Sequence, residues 1–240
     1  MKKLLLLLCL LCFAVLPAHA AGFIAPGDEP DSLVFLPPPP APDSAEFLRD
    51  QAVYLQTRSL KGTERWSQAA FDADIENNRQ DFFKDALGFS IDKQRTPALY
   101  ALLSRVRADF GAAARSAKDR YRRVRPFMYF GQEGATCAPV FEEELKTNGS
   151  YPSGHTTLGW GMALILSEVL PARKDDILKR GYEYGMSRVV CGVHWQSDVD
   201  AGFLVGSAVA AQLHNSREFQ ELLRNAQAEV AALQNAPKPQ

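Results

Sequence analysis

An all-α domain is what this sequence predicts, on three observations. Apolar residues recur at spacings of three and four, as in Leu99, Leu102, Leu103, Val106 and Phe110. Residues suited to starting helices stand where such patterns begin: Pro97 fits a first helical turn and Ser153 can cap one. No alternation of apolar and polar residues appears with any strength, so no strand is expected. The patterns amount to about eight helices.

The first twenty residues stand outside that count. Lys2 and Lys3 form a charged start, Leu4 to Leu16 an apolar core, and Ala18-His19-Ala20 a small-residue cleavage site. The apolar run is too short to span a membrane comfortably, and no later segment approaches the required length. Cys9 and Cys12 mimic a metal or redox C-x-x-C pair, but both lie inside the leader. Neither follows a small residue, which argues against a lipid-anchored cysteine. The expectation is a leader over residues 1–20, cleaved after Ala20, and a soluble protein delivered to the periplasm.

What remains is enough for one domain with a sizeable core. Loss of Lys2 and Lys3 takes the formal net charge from −1 to −3. A mildly acidic chain argues against wrapping nucleic acid, so any phosphate site must be a local concentration of positive charge. Cys137 and Cys191 are the two remaining cysteines. An even count in an oxidising compartment favours a disulfide between them, with two free buried thiols as the alternative.

Residues 21–43 read as an extended arm. Pro37 to Pro40 and Pro42 favour polyproline geometry, and Leu33, Val34, Phe35 and Leu36 are available to pack on the body. The helical domain spans 44–235, and residues 236–240 form a polar tail. Asp43-Ser44-Ala45 resembles a nucleophile context but reads better as a helix start. Phe47, Leu48, Val53, Tyr54 and Leu55 mark a first helix. Trp66, Ala69, Ala70, Ala73 and Asn77 mark a second, which Phe82, Phe83 and Leu87 extend or follow. Asp72 and Asp74 resemble an aspartyl-phosphatase pair, but within a helical pattern they are expected on a solvated face. The third helix, from Pro97, is expected to carry on through Ala117 into the basic run Lys118 to Arg125. Such a run usually marks a solvated helix end. Arg125 differs, because Pro126 biases it out of the helix and lets its side chain aim elsewhere.

Residues 127–150 read as a connection. Gly149 to Thr156 then forms a turn opening a helix that ends near Pro171. Further helices are expected over 175–190, from His194 to His214, and over 217–233. The Pro152-Ser153-Gly154-His155 turn, taken alone, is equally a helix cap and a phosphate cradle. A helix N-terminus offers free N–H groups and partial positive charge to an anion. Gly154 permits close approach of a ligand to the backbone.

Three histidines follow the leader. His194 precedes Asp198 by four residues, so on one helix face the carboxylate can fix the imidazole tautomer. His214 reads as a surface residue. Lys118, Arg125, Ser153, Gly154, His155, Arg188, His194 and Asp198 together form an inventory suited to phosphoryl transfer through a covalent intermediate. Neither cysteine heads a Cys-x5-Arg loop, there is no His-Glu-x-x-His pair, and histidines are too few for a convincing di-metal site.

The spacing Lys118-x6-Arg125-Pro126, then Pro152-Ser153-Gly154-His155, then Ser187-Arg188-x5-His194-x3-Asp198 resembles the tripartite signature of the type 2 phosphatidic acid phosphatase superfamily. The longer string from Gly149 to Thr156, the leader and the proline-rich arm are similar to bacterial class A non-specific acid phosphatases. That resemblance implies a single-domain helical bundle of the acid phosphatase/vanadium-dependent haloperoxidase type. It implies His194 as nucleophile, Asp198 as its orienting group and His155 as general acid. Lys118, Arg125, Ser153, Gly154 and Arg188 would bind the phosphoryl oxygens, with no metal or other cofactor. The partners implied are small phosphomonoesters and inorganic phosphate, with neither nucleic acid nor membrane, in a homodimer or higher homo-oligomer. The alternatives are a vanadium haloperoxidase-like oxidoreductase and a phosphatase specialised for nucleotides, diphosphates or phosphotransfer.

Overall fold

The computed structural model describes residues 21–78 and 81–235; the expected leader and the tail at 236–240 lie outside them. Among the described residues no strand forms, and eight helices run seven residues or longer. They are α1 (Ala45–Thr57), α2 (Glu64–Ala73), α3 (Pro97–Ala113), α4 (Arg115–Tyr121), α5 (Gly154–Val169), α6 (Lys174–Cys191), α7 (Gln196–Leu213) and α8 (Arg217–Asn235). Their starts follow ordinary capping chemistry. Ser44, Thr63 and Ser153 each accept a bond from an N–H three residues on. At α3 no side chain of its own does so; Glu229 of α8 instead accepts from the Ala98 and Leu99 N–H groups at 2.9 and 3.0 Å. A carboxylate there also meets the positive end of the helix.

Helix α5 is the centre of the packing. Its apolar sequence leaves no wholly polar face, and it lies against α3, α6, α7 and α8. Ile165 and Leu166 are fully buried, each contributing about 1.5–3 kcal/mol of hydrophobic stabilisation. Phe110 of α3, Tyr184 of α6 and Val205 of α7 complete this core, which α8 closes with Phe219 and Val230. Two smaller clusters flank the turn between α6 and α7. Val193 is buried with Phe127, Val190 and Cys191, and Trp195 is buried with Phe47 and Tyr54. That turn is therefore held on both sides.

Several expectations shift. The third helix breaks at Ala114, and the basic run starts in the separate helix α4. The arm is not extended throughout: Ser32–Phe35 forms one helical turn, and of its apolar residues only Leu36 is buried. It is tied down by Phe23 and Ile24, which pack half-buried against the core, and by polar contacts, with Ser32 Oγ 2.9 Å from Ser116 Oγ and the Phe23 N–H donating to Asp109. The connection after Arg125 contains short helices at Pro126–Tyr129 and Glu142–Lys146. A disulfide joins Cys137 to Cys191, and the Cys137 N–H donates to the Cys191 carbonyl at 3.0 Å.

Candidate active site

The three motif blocks lie far apart in sequence, and hydrogen bonds to the backbone bring them together. The Ser150 N–H donates to the Arg123 carbonyl at 2.9 Å, and the Ser153 N–H to the Asp198 carbonyl at 2.9 Å. Lys118 Nζ donates to the Gly149 carbonyl at 2.7 Å. Gly149 is required for this: a Cβ there would stand 2.6 Å from the Lys118 carbonyl oxygen. On the third side, Gly192 takes φ 86°, which lets α6 end and the chain fold back. The Val193 and His194 N–H groups then donate to the Arg188 carbonyl at 3.2 and 3.3 Å. All eight predicted residues are thereby gathered around the start of α5.

Asp198 sits in the first turn of α7, but His194 does not lie on that helix. Trp195 is the N-cap, so the expectation of a shared helix face fails. The contact forms nonetheless. His194 Nδ1 is 3.2 Å from Asp198 Oδ2, which also accepts from the Trp195 N–H at 2.9 Å. The carboxylate thus caps the helix and fixes the imidazole with Nδ1 protonated, leaving Nε2 with its lone pair. Arg125 Nη1 is 3.0 Å from that Nε2. The rest of the Arg125 fork donates to the carbonyls of Leu145 and Val193 and to Asn148 Oδ1. Its extended backbone, at φ −77° and ψ 153°, is the conformation expected before proline.

Arg188 is different. It is 2 % exposed, and its Nε and Nη1 are buried without a hydrogen-bond acceptor. Leaving charged donors unpaired is costly, so an anion is the natural complement. Ser153 Oγ accepts from the Thr156 N–H and from Thr156 Oγ1, leaving its own proton available. The space where Gly154 lacks a Cβ opens toward Lys118 Cε. His155 Nε2 is 3.2 Å from the Ala73 carbonyl, to which it donates, so Nδ1 is the atom able to take and return a proton.

The electrostatics suit an anion. Burial, reinforced by Arg125 and Arg188, brings the Lys118 ammonium down to about 7. Burial and then Arg188 push His155 well below the usual histidine range. Burial, Arg125, Lys118 and Arg188 do the same to His194, while the Ser150 carbonyl opposes them. A bound phosphoryl group would relieve this crowding of positive charge.

Several residues of the surroundings were not legible as such in the sequence. Asp72, expected on a solvated face, is fully buried. It pairs with Arg180 and accepts from Ser187 Oγ, and Arg65 donates to that same hydroxyl at 2.9 Å. The residue before Arg188 is thus locked in place. Arg123, expected at a solvated helix end, pairs with Asp50 and Asp198, both buried. Tyr151 and Phe127 pack into the interior, and the Tyr151 hydroxyl donates to the Pro37 carbonyl at 2.8 Å. His214 is at the surface, where it meets Glu168. A cleft of about 650 Å³ between α2 and α6, lined in part by Phe82, Arg173 and Arg180, contains none of the eight predicted residues.

The chain is also similar to known proteins over most of its length. A family model described as PAP2 superfamily matches residues 97–221. The chain is 46% identical to a non-specific acid phosphatase of Providencia stuartii, covering 97% of this chain and 99% of the relative. It is 41% identical to a non-specific acid phosphatase of Salmonella typhimurium, covering 87% and 83% respectively. An acid phosphatase of Zymomonas mobilis is 40% identical, covering 83% and 75%.

Proposed function

This chain belongs to the PAP2 superfamily, and on that premise we propose that it is an acid phosphatase that works through a phosphohistidine on His194. The observation that carries the proposal is the pair of buried, unpartnered donors on Arg188, next to a histidine whose Nδ1 is held by Asp198. An ester phosphate accepting from Arg188, Lys118, Ser153 and the free N–H groups of α5 would lie in front of His194 Nε2. Charge-assisted hydrogen bonds of this kind contribute about 1.5–3 kcal/mol each.

In the first step Nε2 forms a bond to phosphorus while the bond from phosphorus to the alcohol oxygen breaks. Protonated His155 gives its proton to the departing oxygen. In the second step a water oxygen attacks phosphorus, His155 takes the water's proton, and the phosphorus–nitrogen bond returns its electrons to Nε2. Asp198 stabilises the positive charge on the imidazole between the two steps. Arg125 turns from Nε2 to the phosphoryl oxygens as the substrate arrives.

We further propose a broad range of phosphomonoesters, an exported location and an oligomeric assembly. The relatives' names carry the word non-specific, the leader pattern and the disulfide suit an oxidising compartment, and no described helix is long and apolar enough to cross a membrane. The mechanism is tested by quenching turnover in alkali, where phosphohistidine persists, and mapping phosphate by mass spectrometry. Label on His194 is expected; full turnover with no label on that residue would refute the mechanism.

A further inference from the structure

We propose that Arg123 is a positioning residue that sets the acidity of His194 by dividing its charge between the carboxylates of Asp198 and Asp50. The proposal rests on His194 being the nucleophile. Its basis is a buried relay of four groups. Arg123 Nη1 donates to Asp198 Oδ1 at 2.6 Å and to Ser197 Oγ at 2.7 Å. Its Nη2 donates to Asp50 Oδ2 at 2.7 Å. Asp50 Oδ1 in turn accepts from the Ser197 N–H at 2.8 Å, in the first turn of α7. Both carboxylates are almost wholly buried, and one guanidinium serves the two of them. The rings of Phe47 and Trp195 lie 5.7 and 5.5 Å from its Cζ, which restricts its motion.

The arrangement gives Asp198 two opposed duties. One oxygen faces His194 Nδ1; the other faces Arg123. The more positive charge the second oxygen receives, the less the first stabilises an imidazolium. Asp50 draws part of the Arg123 charge away, so α1 helps decide how strongly Asp198 acts on His194. The other charged or titratable groups facing His194 are Lys118 of α4, Arg125 after it, Arg188 of α6 and His155 of α5. All but His155 are cations, so Asp198 is the anion through which the balance is adjusted.

The relay predicts opposite effects from its two ends. In Arg123→Gln, Asp198 keeps its whole charge for His194, and the acid limb of kcat/KM should move up by about one pH unit. In Asp50→Asn, Arg123 gives its whole charge to Asp198, and the same limb should move down. One substrate is used throughout, so that its own ionisation cancels. Arg123→Lys should restore much of the parent profile. Should Arg123→Gln fold poorly, the Arg123→Gln/Asp50→Asn double variant removes both charges of the outer pair and should still show the raised limb. Limbs that stay in place, or move in one direction in both single variants, would overturn the relay. Alkaline-quench labelling runs alongside. Label on His194 with limbs that fail to separate would remove the relay alone, whereas absence of that label would remove the nucleophile assignment and the relay with it.

Discussion

His194 and Asp198 meet across a helix boundary: Nδ1 and Oδ2 are 3.2 Å apart, with His194 before the N-cap and Asp198 in the first turn. The same oxygen caps Trp195. One carboxylate therefore starts the helix and orients the imidazole. Asp198→Asn is expected to lower kcat about a hundredfold or more, because the amide does not enforce the required tautomer. Loss of the buried pair with Arg123 should also cost about 3 kcal/mol of stability. Steady-state kinetics with thermal unfolding of the same variant checks both.

The two imidazoles should separate by leaving group. His194→Ala should abolish turnover of every ester. His155→Ala should still form phosphoenzyme with an aryl phosphate, whose leaving oxygen needs little protonation, and fail with an alkyl phosphate. Rapid-quench kinetics on paired substrates is the measurement. Equal losses on both substrates would remove His155 from the role of acid.

Both histidines are held well below the usual range by burial and neighbouring cations. On the proposed mechanism His194 must be neutral to attack, so activity should be lost as pH falls through its pKa, which is lowered by burial and the neighbouring cations. His155 must be protonated to donate, so activity is lost as pH rises through its own pKa in the substrate complex, where the phosphate raises it. An acid-shifted bell is expected. In phosphate-free buffer neither ring should titrate between about pH 6 and 7, where free histidine does; NMR of labelled histidines tests this.

Lys118 is brought down to about 7, so near pH 8 it is largely neutral until an anion binds. A phosphate dianion favours its charged form. Phosphate binding at that pH should therefore take up a proton, visible in calorimetry as a heat that depends on the buffer's ionisation enthalpy. The uptake should shrink in Lys118→Met.

The disulfide joins residues 54 positions apart in the sequence, the second of them just before His194. Replacing Cys137 and Cys191 by serine should destabilise the protein by about 4 kcal/mol on the loop-entropy estimate. Denaturant titration measures it. Mass spectrometry of the parent without reductant should show neither thiol alkylated: two alkylatable thiols would contradict the bond.

The helical class and the order of the main helices were legible in the sequence because local chemistry determines them, and the eight candidate residues stood out there as three motif blocks that the fold gathers around the start of α5. Ser153 caps, Pro97 starts, apolar residues repeat at three and four, and Pro126 turns Arg125 out of the helix. Burial is a property of the assembled fold, and there the sequence was silent or misleading. Asp72 lies in a polar helical pattern, yet α6 packs over it and supplies Arg180. Arg123 sits in a basic run where nothing local distinguishes it from Arg120 or Arg122, and only the arrival of α1 and α7 places two carboxylates around it. The sequence by itself determined which groups are candidates for phosphoryl transfer. The tertiary structure decided which charges are buried and which are paired, and it left two donors of Arg188 buried with no acceptor from the protein, because Asp72, the carboxylate whose charge reaches Arg188, is already held by Arg180 and Ser187.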